Sequence, residues 1–185
     1  MIIRELYTDE EREQMYRLVH DEYVGAGYID PQPDKRFVHY KGLWDNISQT
    51  VTHLAYDDIG DLIGTNSLTR DSDTGIHTGI DFPKETMRER LTGKSLASSW
   101  RIVTRSDQRN SAGLICALIR ATIQTMVTRG VETSLFTFNP KHMCRYHLAL
   151  NMEMIGFNES TQGLHGAPAV LMRAYTKDYP ERWLR

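Results

Sequence analysis

The chain of 185 residues has little of what marks secreted, membrane-spanning or disulfide-rich proteins. Its two cysteines, Cys116 and Cys144, are too few for a disulfide framework, so both are expected to be reduced residues of the core. No run of about 18 apolar residues is present, which argues against a membrane-spanning helix. The start, Met-Ile-Ile-Arg-Glu-Leu, turns charged too early for a signal peptide. We therefore expect a cytoplasmic protein.

Sequence patterns of common catalytic centres are missing as well. There is no HExxH, no CxxC and no His/Asp cluster, so no metal site is predicted. A nucleophile elbow of the form GxSxG is also absent. Internal repeats, low-complexity stretches and linkers are lacking, and a chain of this length can bury one full core. A single domain over residues 1–185 is therefore expected.

Charge is present in nearly balanced amounts, but it is spread unevenly along the chain. Residues 1–93 hold 10 basic against 18 acidic side chains, whereas residues 94–145 hold 8 against 2. The basic stretch is consistent with a solvated face, or with a rim that binds a phosphorylated cofactor or an acidic carrier protein. Nucleic-acid binding is disfavoured, because neither aromatic interleaving nor a known module accompanies the charge.

Hydrophobic periodicity in the first half of the chain predicts strands that alternate with helices. Residues 2–6 predict a strand, and Thr8 opens a capping box ahead of a helix that ends near Gly25. Residues 50–56 and 62–69 lie on either side of a turn rich in Asp and Gly, which predicts a β-hairpin. Residues 71–81 are expected to be irregular, and a short helix is expected from Pro83 to about Leu91.

The second half continues the alternation. A strand is expected near residues 95–104, and Asn110 or Ser111 is expected to cap a long amphipathic helix ending at Gly130. Its predicted buried side consists of Leu114, Ala117, Leu118, Ala121, Ile123 and Val127. An apolar strand at residues 134–138, a short helix and a late strand complete the order. This order predicts an α/β protein with a mixed sheet and helices on both faces.

The C-terminal third carries a resemblance to a known family. Asn139-Pro140 stops the strand, His142 and Tyr146 follow, and then come Gly156-Phe157 and Gly-Ala-Pro-Ala-Val-Leu at 166–171. This succession resembles the N-acyl amino acid synthases (FeeM-like), a branch of the GNAT acyltransferases related to the acyl-homoserine-lactone synthases. Earlier segments, at residues 20–31 and 60–75, resemble the family's entry loop and central hairpin.

The resemblance implies a fold and an activity. The fold is the GNAT fold, a mixed and mostly antiparallel sheet whose central strands splay apart near Pro140 to admit an acyl thioester. The activity is N-acyl transfer of a fatty acyl group, from acyl carrier protein or coenzyme A, to an amine such as that of an amino acid. Two alternatives stay open. One is a small-acyl transferase that uses acetyl-coenzyme A, and the other is a degenerate module that binds an acyl chain or carrier without turnover.

Two departures from the family pattern bear on activity. The family's catalytic strand usually reads Glu-x-x-Arg, and here Ser98-Ser99-Trp100-Arg101 replaces the Glu with Ser98. The pyrophosphate loop of GNAT enzymes, Gln/Arg-x-x-Gly-x-Gly/Ala, is matched at residues 107–113 only by Gly113 and by its position.

Three side chains are candidates for proton transfer. His142 follows the strand end, and an ordinary imidazole pKa of about 6.5 suits a base. Tyr146 lies one helical turn later, and the resemblance implies that it protonates the leaving thiolate. Ser98 could hold a water or the amine. A structural role is the alternative for each. The histidines at 20, 53 and 77 are scattered singly and are expected to be solvated or core residues.

Candidate binding residues cluster around the same strand and the helix that follows it. Backbone N–H groups of a bulged strand can stabilise the thioester oxygen, and those of a helix's first turn favour a phosphate. The expected cofactor-binding residues are Ile102, Val103, Thr104, Arg105, Arg109, Asn110, Ser111, Ala112, Gly113 and Asn139. Arg101 is expected to bind a substrate carboxylate or to anchor the carrier, with a surface ion pair as the alternative. Trp100 and Trp44 are expected near the acyl pocket.

Overall fold

The computed structural model describes residues 1–108, 112–161 and 163–184, without the side chains of Ala112, His142, Cys144, Arg145 and Tyr146. Seven strands are present in this part of the chain: β1 (Ile2–Glu5), β2 (Thr50–Tyr56), β3 (Leu62–Arg70), β4 (Leu96–Thr104), β5 (Thr133–Phe138), β6 (Glu153–Asn158) and β7 (Ala169–Tyr175). The α-helices are α1 (Asp9–Gly25), α2 (Thr78–Asp81), α3 (Pro83–Arg90), α4 (Ala112–Thr128), α5 (Met143–Leu150) and α6 (Glu181–Leu184).

The strands form one seven-stranded sheet in the order β1-β2-β3-β4-β5-β7-β6. Strands β4 and β5 run parallel, whereas β1 and β2, β5 and β7, and β6 and β7 pair antiparallel. The predicted α/β class with a mixed, mostly antiparallel sheet is confirmed.

The chain divides into two compact units. The first unit consists of Met1–Leu68 and Arg101–Thr122, and the second of Thr69–Trp100 and Ile123–Arg185. The expectation of a single domain over residues 1–185 stays a prediction.

One face of the first unit packs against α1. The predicted capping box begins this helix: the Glu11 N–H donates to Thr8 Oγ1 and the Thr8 N–H donates to Glu11 Oε2, both at 3.1 Å. These bonds satisfy backbone groups that a helix start leaves without partners. The buried residues that the helix and strands share here are Met15, Tyr16, Leu18, Val19, Leu54, Tyr56 and Val103.

The opposite face of the first unit packs against α4. Ala55 follows Leu54 on β2 and therefore points to the other side of the strand, where it is buried with Ile63, Leu114 and Leu118. Gly64 permits this approach, because a Cβ at that position would lie 3.0 Å from Leu118 Cδ1 and 3.3 Å from the Val103 carbonyl oxygen.

The second unit is covered on both sides in the same way. On one side, Leu96, Leu135 and Leu171 are buried with Ile76 and Phe82, which flank α2. Ser134 precedes Leu135 and so faces the other side, where its Oγ lies 2.6 Å from the hydroxyl of Tyr179. The Tyr179 hydroxyl lies 3.9 Å from the sulfur of the fully buried Met126 on α4.

Some expectations about the helices are wrong in detail. Val127 is 50% exposed and Met126 is buried, because the buried stripe of α4 rotates around the helix by its last turn. Cys116 is exposed, against the expectation of a core residue. Residues 78–81 form a helix where an irregular segment was expected. The predicted caps, Asn110 and Ser111, lie outside the described residues.

The pairing of β4 with β5 covers only part of both strands. Four parallel pairs join residues 96–99 to residues 133–136, and β4 then continues to Thr104 and β5 to Phe138. Arg101 interrupts β4 with a φ of 56°, a left-handed conformation that non-glycine residues seldom adopt inside a strand. The strand is therefore irregular immediately after the described pairs. The predicted parting of the two strands stays a prediction.

Strand β6 ends the sheet order next to β7. Their register shifts between Met154 and Gly156, where the pairing is irregular. A Cβ at Gly156 would lie 3.1 Å from Phe82, so glycine lets this strand approach the segment that leads into α3. Met154 and Phe157 of the same strand are about half exposed, at 49% and 56%.

Candidate active site

Strand β4 supplies side chains to two buried polar clusters, one in each unit. The Asp45 cluster, in the first unit, consists of Tyr16, Asp45 and Arg101. The His77 cluster, in the second unit, consists of Thr69, His77, Ser98, Trp100 and Thr137. The clusters contain three of the residues predicted from the family's catalytic strand: Ser98, Trp100 and Arg101.

The Asp45 cluster is a buried ion pair with a third, neutral partner. The guanidinium of Arg101 pairs with Asp45 Oδ1, and the two side chains are 0% and 3% exposed. The Tyr16 hydroxyl donates to the other carboxylate oxygen, Oδ2, at 2.7 Å. Burial and the hydrogen bond to Asp45 raise the pKa of the Tyr16 phenol, so it remains a donor at neutral pH.

This geometry bears on the predicted role of Arg101. The alternative of a surface ion pair is wrong, because the Arg101 side chain is fully buried. A substrate carboxylate would have to share the guanidinium with Asp45, and a carrier protein could not reach it in this arrangement. Binding of a substrate carboxylate by Arg101 therefore stays a prediction that requires the cluster to open.

The His77 cluster surrounds Ser98, the residue at the position of the family's glutamate. His77 Nε2 lies 3.4 Å from Ser98 Oγ and 3.5 Å from Thr137 Oγ1. Ser98 Oγ also lies 3.4 Å from the carbonyl oxygen of Leu135, to which it donates. These distances are at the long end for hydrogen bonds. An imidazole and two hydroxyls therefore meet where the sequence predicts acid–base chemistry.

The two predicted tryptophans have different surroundings. Trp100 belongs to the His77 cluster: its indole N–H donates to Thr69 Oγ1 at 3.0 Å and its ring centre lies 5.5 Å from that of His77. Trp44 lies in the first unit, with its ring edge-on to Tyr40 at 5.2 Å. Both indoles are buried, and the structure brings Trp100 into the cluster that contains Ser98.

His77 is the residue that sequence reasoning missed. It was expected to be a core or solvated histidine, and it is indeed 2% exposed, immediately before α2. Its partners lie 21 and 60 residues away along the chain, so no local spacing connects them. The sequence signal that draws attention to this position is the replacement of the family's glutamate by Ser98.

The basic residues of the predicted donor site are partly engaged within the chain. The Arg105 guanidinium lies 2.8 Å from Asp107, 3.5 Å from Asp61 and 3.7 Å from Asp57. The ammonium of Lys94 lies over the ring of Tyr175, 4.3 Å from its centre. Of the charge that was expected to attract a phosphate, that of Arg105 is thus balanced by neighbouring carboxylates.

The other predicted donor-site residues lie on three elements. Ile102, Val103 and Thr104 are on β4, and Val103 is buried in the core shared with α1. Gly113 is exposed in the first turn of α4. Asn139 accepts a hydrogen bond from the Lys141 N–H at 3.2 Å and so caps the short 3-10 helix Pro140–His142.

Several predicted residues cannot be placed in this geometry. Arg109, Asn110 and Ser111 lie outside the described residues. Ala112, His142 and Tyr146 belong to described elements, but their side chains lie outside the description. Their roles stay predictions.

The part of the chain that the structure describes contains neither a cluster of metal ligands nor a helix that could span a membrane. No group of three or more His, Cys, Asp or Glu side chains there is arranged to hold a metal ion. No helix there has both the length and the apolar character needed to cross a membrane.

Comparisons with known proteins agree with the resemblance noted in the sequence. The sequence model of the N-acyl amino acid synthase FeeM family matches residues 14–175. Among proteins with curated functions, none matches the sequence significantly.

Three solved structures illustrate the similarity of fold. FeeM, an N-acyl amino acid synthase from uncultured soil microbes, superposes with a TM-score of 0.82 at 20% identity, covering 96% of this chain and 91% of that one. BjaI, a CoA-dependent acyl-homoserine lactone synthase, gives 0.69 at 17% identity, with 95% and 79% covered. The acyl-homoserine lactone synthase LasI gives 0.66 at 16% identity, with 99% and 93% covered. The GNAT fold implied by the resemblance is confirmed.

Proposed function

The chain belongs to the N-acyl amino acid synthase FeeM family, and we propose that it joins a fatty acyl group to the amine of an amino acid. The acyl donor in this proposal is a thioester of acyl carrier protein or of coenzyme A. The observation that carries the proposal is the family match over residues 14–175, which spans both polar clusters. Membership in this family makes the protein an acyltransferase. The identities of the acyl donor and of the acceptor amine are what we propose.

The proposed reaction needs one bond made, one bond broken and one proton moved. The amine nitrogen bonds to the thioester carbon and the carbon–sulfur bond breaks. A proton leaves the amine and the sulfur gains one, giving an amide and a thiol. From the sequence, His142 accepts the proton, Tyr146 protonates the thiolate and Ser98 holds the amine or a water. No metal takes part in this scheme.

Donor binding is proposed for β4 and the start of α4. Backbone N–H groups of residues 102–104, next to the irregularity at Arg101, would stabilise charge on the thioester oxygen. N–H groups at the start of α4 would favour the phosphate of phosphopantetheine or coenzyme A. The residues proposed to help are Arg105, Arg109, Asn110, Ser111, Ala112, Gly113 and Asn139. Arg101, Trp100 and Trp44 are proposed for the substrate side.

Acyl carrier protein and coenzyme A both remain in the proposal. The related synthase BjaI is described as CoA-dependent, while the basic stretch at residues 94–145 would suit an acidic carrier protein. We also propose a cytoplasmic location, because both kinds of thioester are used there.

The proposal is tested by offering the purified protein matched donors and acceptors. Acyl carrier protein and coenzyme A, each loaded with chains from acetyl to palmitoyl, are incubated with the amino acids, and products are identified by mass spectrometry. We expect N-acyl amino acids from long-chain donors. Product from acetyl-coenzyme A alone would replace the proposal with a small-acyl transferase.

The replacement of the family's glutamate by Ser98 favours a second candidate, a module that binds an acyl chain or carrier without turnover. Donor binding with no product from any pair in the panel would support it. If the wild type gives no product, a gain of turnover in Ser98→Glu would mean that the site has lost the family's base and nothing replaces it. If the wild type does turn over, a loss of turnover in Ser98→Glu would mean that the serine belongs to a working site.

A further inference from the structure

We propose that the acceptor amine loses its proton to His77, rather than to His142, through the hydroxyl of Ser98. The inference rests on the proposed acyl transfer and assigns its general base. The family usually places a glutamate on this strand, and a serine alone is too weak a base to replace a carboxylate. A neutral imidazole in contact with that serine supplies the missing basicity.

The His77 ring lies beside Ser98, at the position of the family's glutamate. His77 Nε2 faces two hydroxyls at once, Ser98 on β4 at 3.4 Å and Thr137 on β5 at 3.5 Å. These residues lie within one position of Ser99 and Phe136, the last described pair between the two strands. The imidazole is thus held next to the last described pair of β4 and β5, beside the position of the missing carboxylate.

The contacts of the ring are long, but both hydroxyls are within its reach. Contacts of 3.4 to 3.5 Å are too long for strong hydrogen bonds, so the proposed proton transfer requires the ring and the Ser98 hydroxyl to move closer together. Trp100 fixes the ring from the side, 5.5 Å away, and is itself held by Thr69 at 3.0 Å. For the proposed transfer, the Ser98 hydroxyl must turn from the Leu135 carbonyl oxygen toward Nε2, which lies at the same distance of 3.4 Å.

The partners described for the ring are the hydroxyls of Ser98 and Thr137 and the indole ring of Trp100. Two charge pairs involve residues on or next to the elements around the ring: Arg90 with Asp71, and Arg173 with Glu89, each at 2.7 Å; Arg173 also pairs with Glu153. The other charged side chains on these elements are Arg70 on β3, Arg101 on β4, Asp81 on α2, and Lys84, Glu85 and Arg88 on α3.

The step balances without another reagent. The amine N–H passes its proton to Ser98 Oγ as the Ser98 hydroxyl passes its own to His77 Nε2. The amine nitrogen bonds to the thioester carbon and the thiolate leaves. The proton held by His77 balances the one that the sulfur takes up, so that a thioester and an amine give an amide and a thiol.

The test compares three histidines by the pH dependence of kcat/KM. His77→Gln keeps a hydrogen-bonding group near the position of Nε2 but cannot titrate. We expect it to lower kcat/KM at neutral pH on the order of a hundredfold and to abolish the fall in rate toward acidic pH. His142→Gln is expected to keep that acidic fall.

His53→Asn is the matched control. His53 is also buried, and its Nδ1 lies 3.4 Å from the hydroxyl of Thr122. We expect this variant to keep kcat/KM within a few-fold of wild type together with the full pH profile. Imidazole added to His77→Ala should restore part of the rate, which a purely structural histidine would not show.

The outcomes separate the two proposals. No product from the wild-type protein with any donor refutes the acyltransfer proposal and this inference with it. A product whose acidic limb survives in His77→Gln and disappears in His142→Gln refutes only the inference. If His77→Gln does not fold, an NMR titration of the wild-type histidines decides: the inference fails unless His77 titrates with the kinetic pKa.

Discussion

Asp45 neutralises Arg101 inside the first unit, at the one residue of β4 whose backbone is left-handed. The ion pair joins the segment after the short 3-10 helix His39–Gly42 to the strand, 56 residues later in the chain. A fixed charge partner at the irregular position holds the strand in a conformation that it would otherwise avoid.

Removing the carboxylate is expected to cost much of the protein's stability. Asp45→Asn leaves a buried guanidinium beside a neutral amide, and we expect a loss of about 3 kcal/mol or more in the free energy of unfolding. Urea denaturation measures it. Asp9→Asn, at an ion pair whose carboxylate is 89% exposed, should cost less than about 1 kcal/mol. Equal losses in the two variants would contradict the structural importance of the buried pair.

Arg105 and Arg109 are expected to differ in their effect on donor binding. Arg105 is balanced by three carboxylates, so Arg105→Gln should raise the KM for the acyl donor by less than about threefold. Arg109→Gln should raise it about tenfold if that side chain binds the donor phosphate. Steady-state kinetics at constant ionic strength gives both values, and the reverse order would move the phosphate site to Arg105.

Even the methyl group of an alanine is expected not to fit at position 64 without displacing its neighbours. Gly64→Ala would place a Cβ against Leu118 and a backbone carbonyl, at 3.0 and 3.3 Å, and should cost about 1 to 3 kcal/mol through overpacking. Gly25→Ala is the control, since a Cβ there meets nothing within 4 Å and its backbone is not left-handed. It should be neutral or stabilising by up to about 1 kcal/mol.

Stability should fall at alkaline pH because of buried tyrosines. Burial raises the pKa of Tyr179 and, together with the hydrogen bond to Asp45, that of Tyr16; burial raises the pKa of Tyr23 to about 12. The unfolded chain therefore releases these protons near pH 10 while the folded chain still holds them. The buried tyrosines therefore contribute their full stabilisation below about pH 10. Above that pH, the free energy of unfolding falls on the order of 1 kcal/mol per pH unit for each tyrosine.

Urea unfolding at several pH values between 9 and 11.5 tests this dependence. Tyr179→Phe should flatten the slope of unfolding free energy against pH. Tyr7→Phe, at a tyrosine that is 75% exposed, should leave the slope as it is. If the unfolding free energy of the wild type, Tyr179→Phe and Tyr7→Phe fell equally steeply with pH, ionisation of Tyr179 would not be what weakens the fold.

The elements that sequence predicted well are those with strong local signals. Thr8 and Glu11 form the expected capping box, and the hairpin of β2 and β3 follows the alternation of residues 50–56 and 62–69. Helix α3 begins at Pro83 as expected. In each case a few neighbouring residues contain the whole signal, because the hydrogen bonds involved are local.

The candidate site depended on distant contacts and was predicted only in part. The family pattern identified Ser98 and Arg101, but not their partners. Neither His77 nor Asp45 has a local pattern that connects it to β4, because the contacts form only when the chain folds. Helix α2 was missed for a different reason: four residues are too few for helical periodicity to appear.

The outer strand β6 bears on how readily copies of this chain associate with one another. An outer strand with two half-exposed apolar side chains, Met154 and Phe157, is a template on which another molecule could polymerise. The register shift between Met154 and Gly156 breaks the regular row of amide and carbonyl groups that such growth would extend. We therefore expect the register shift to make β6 a poorer template for such growth.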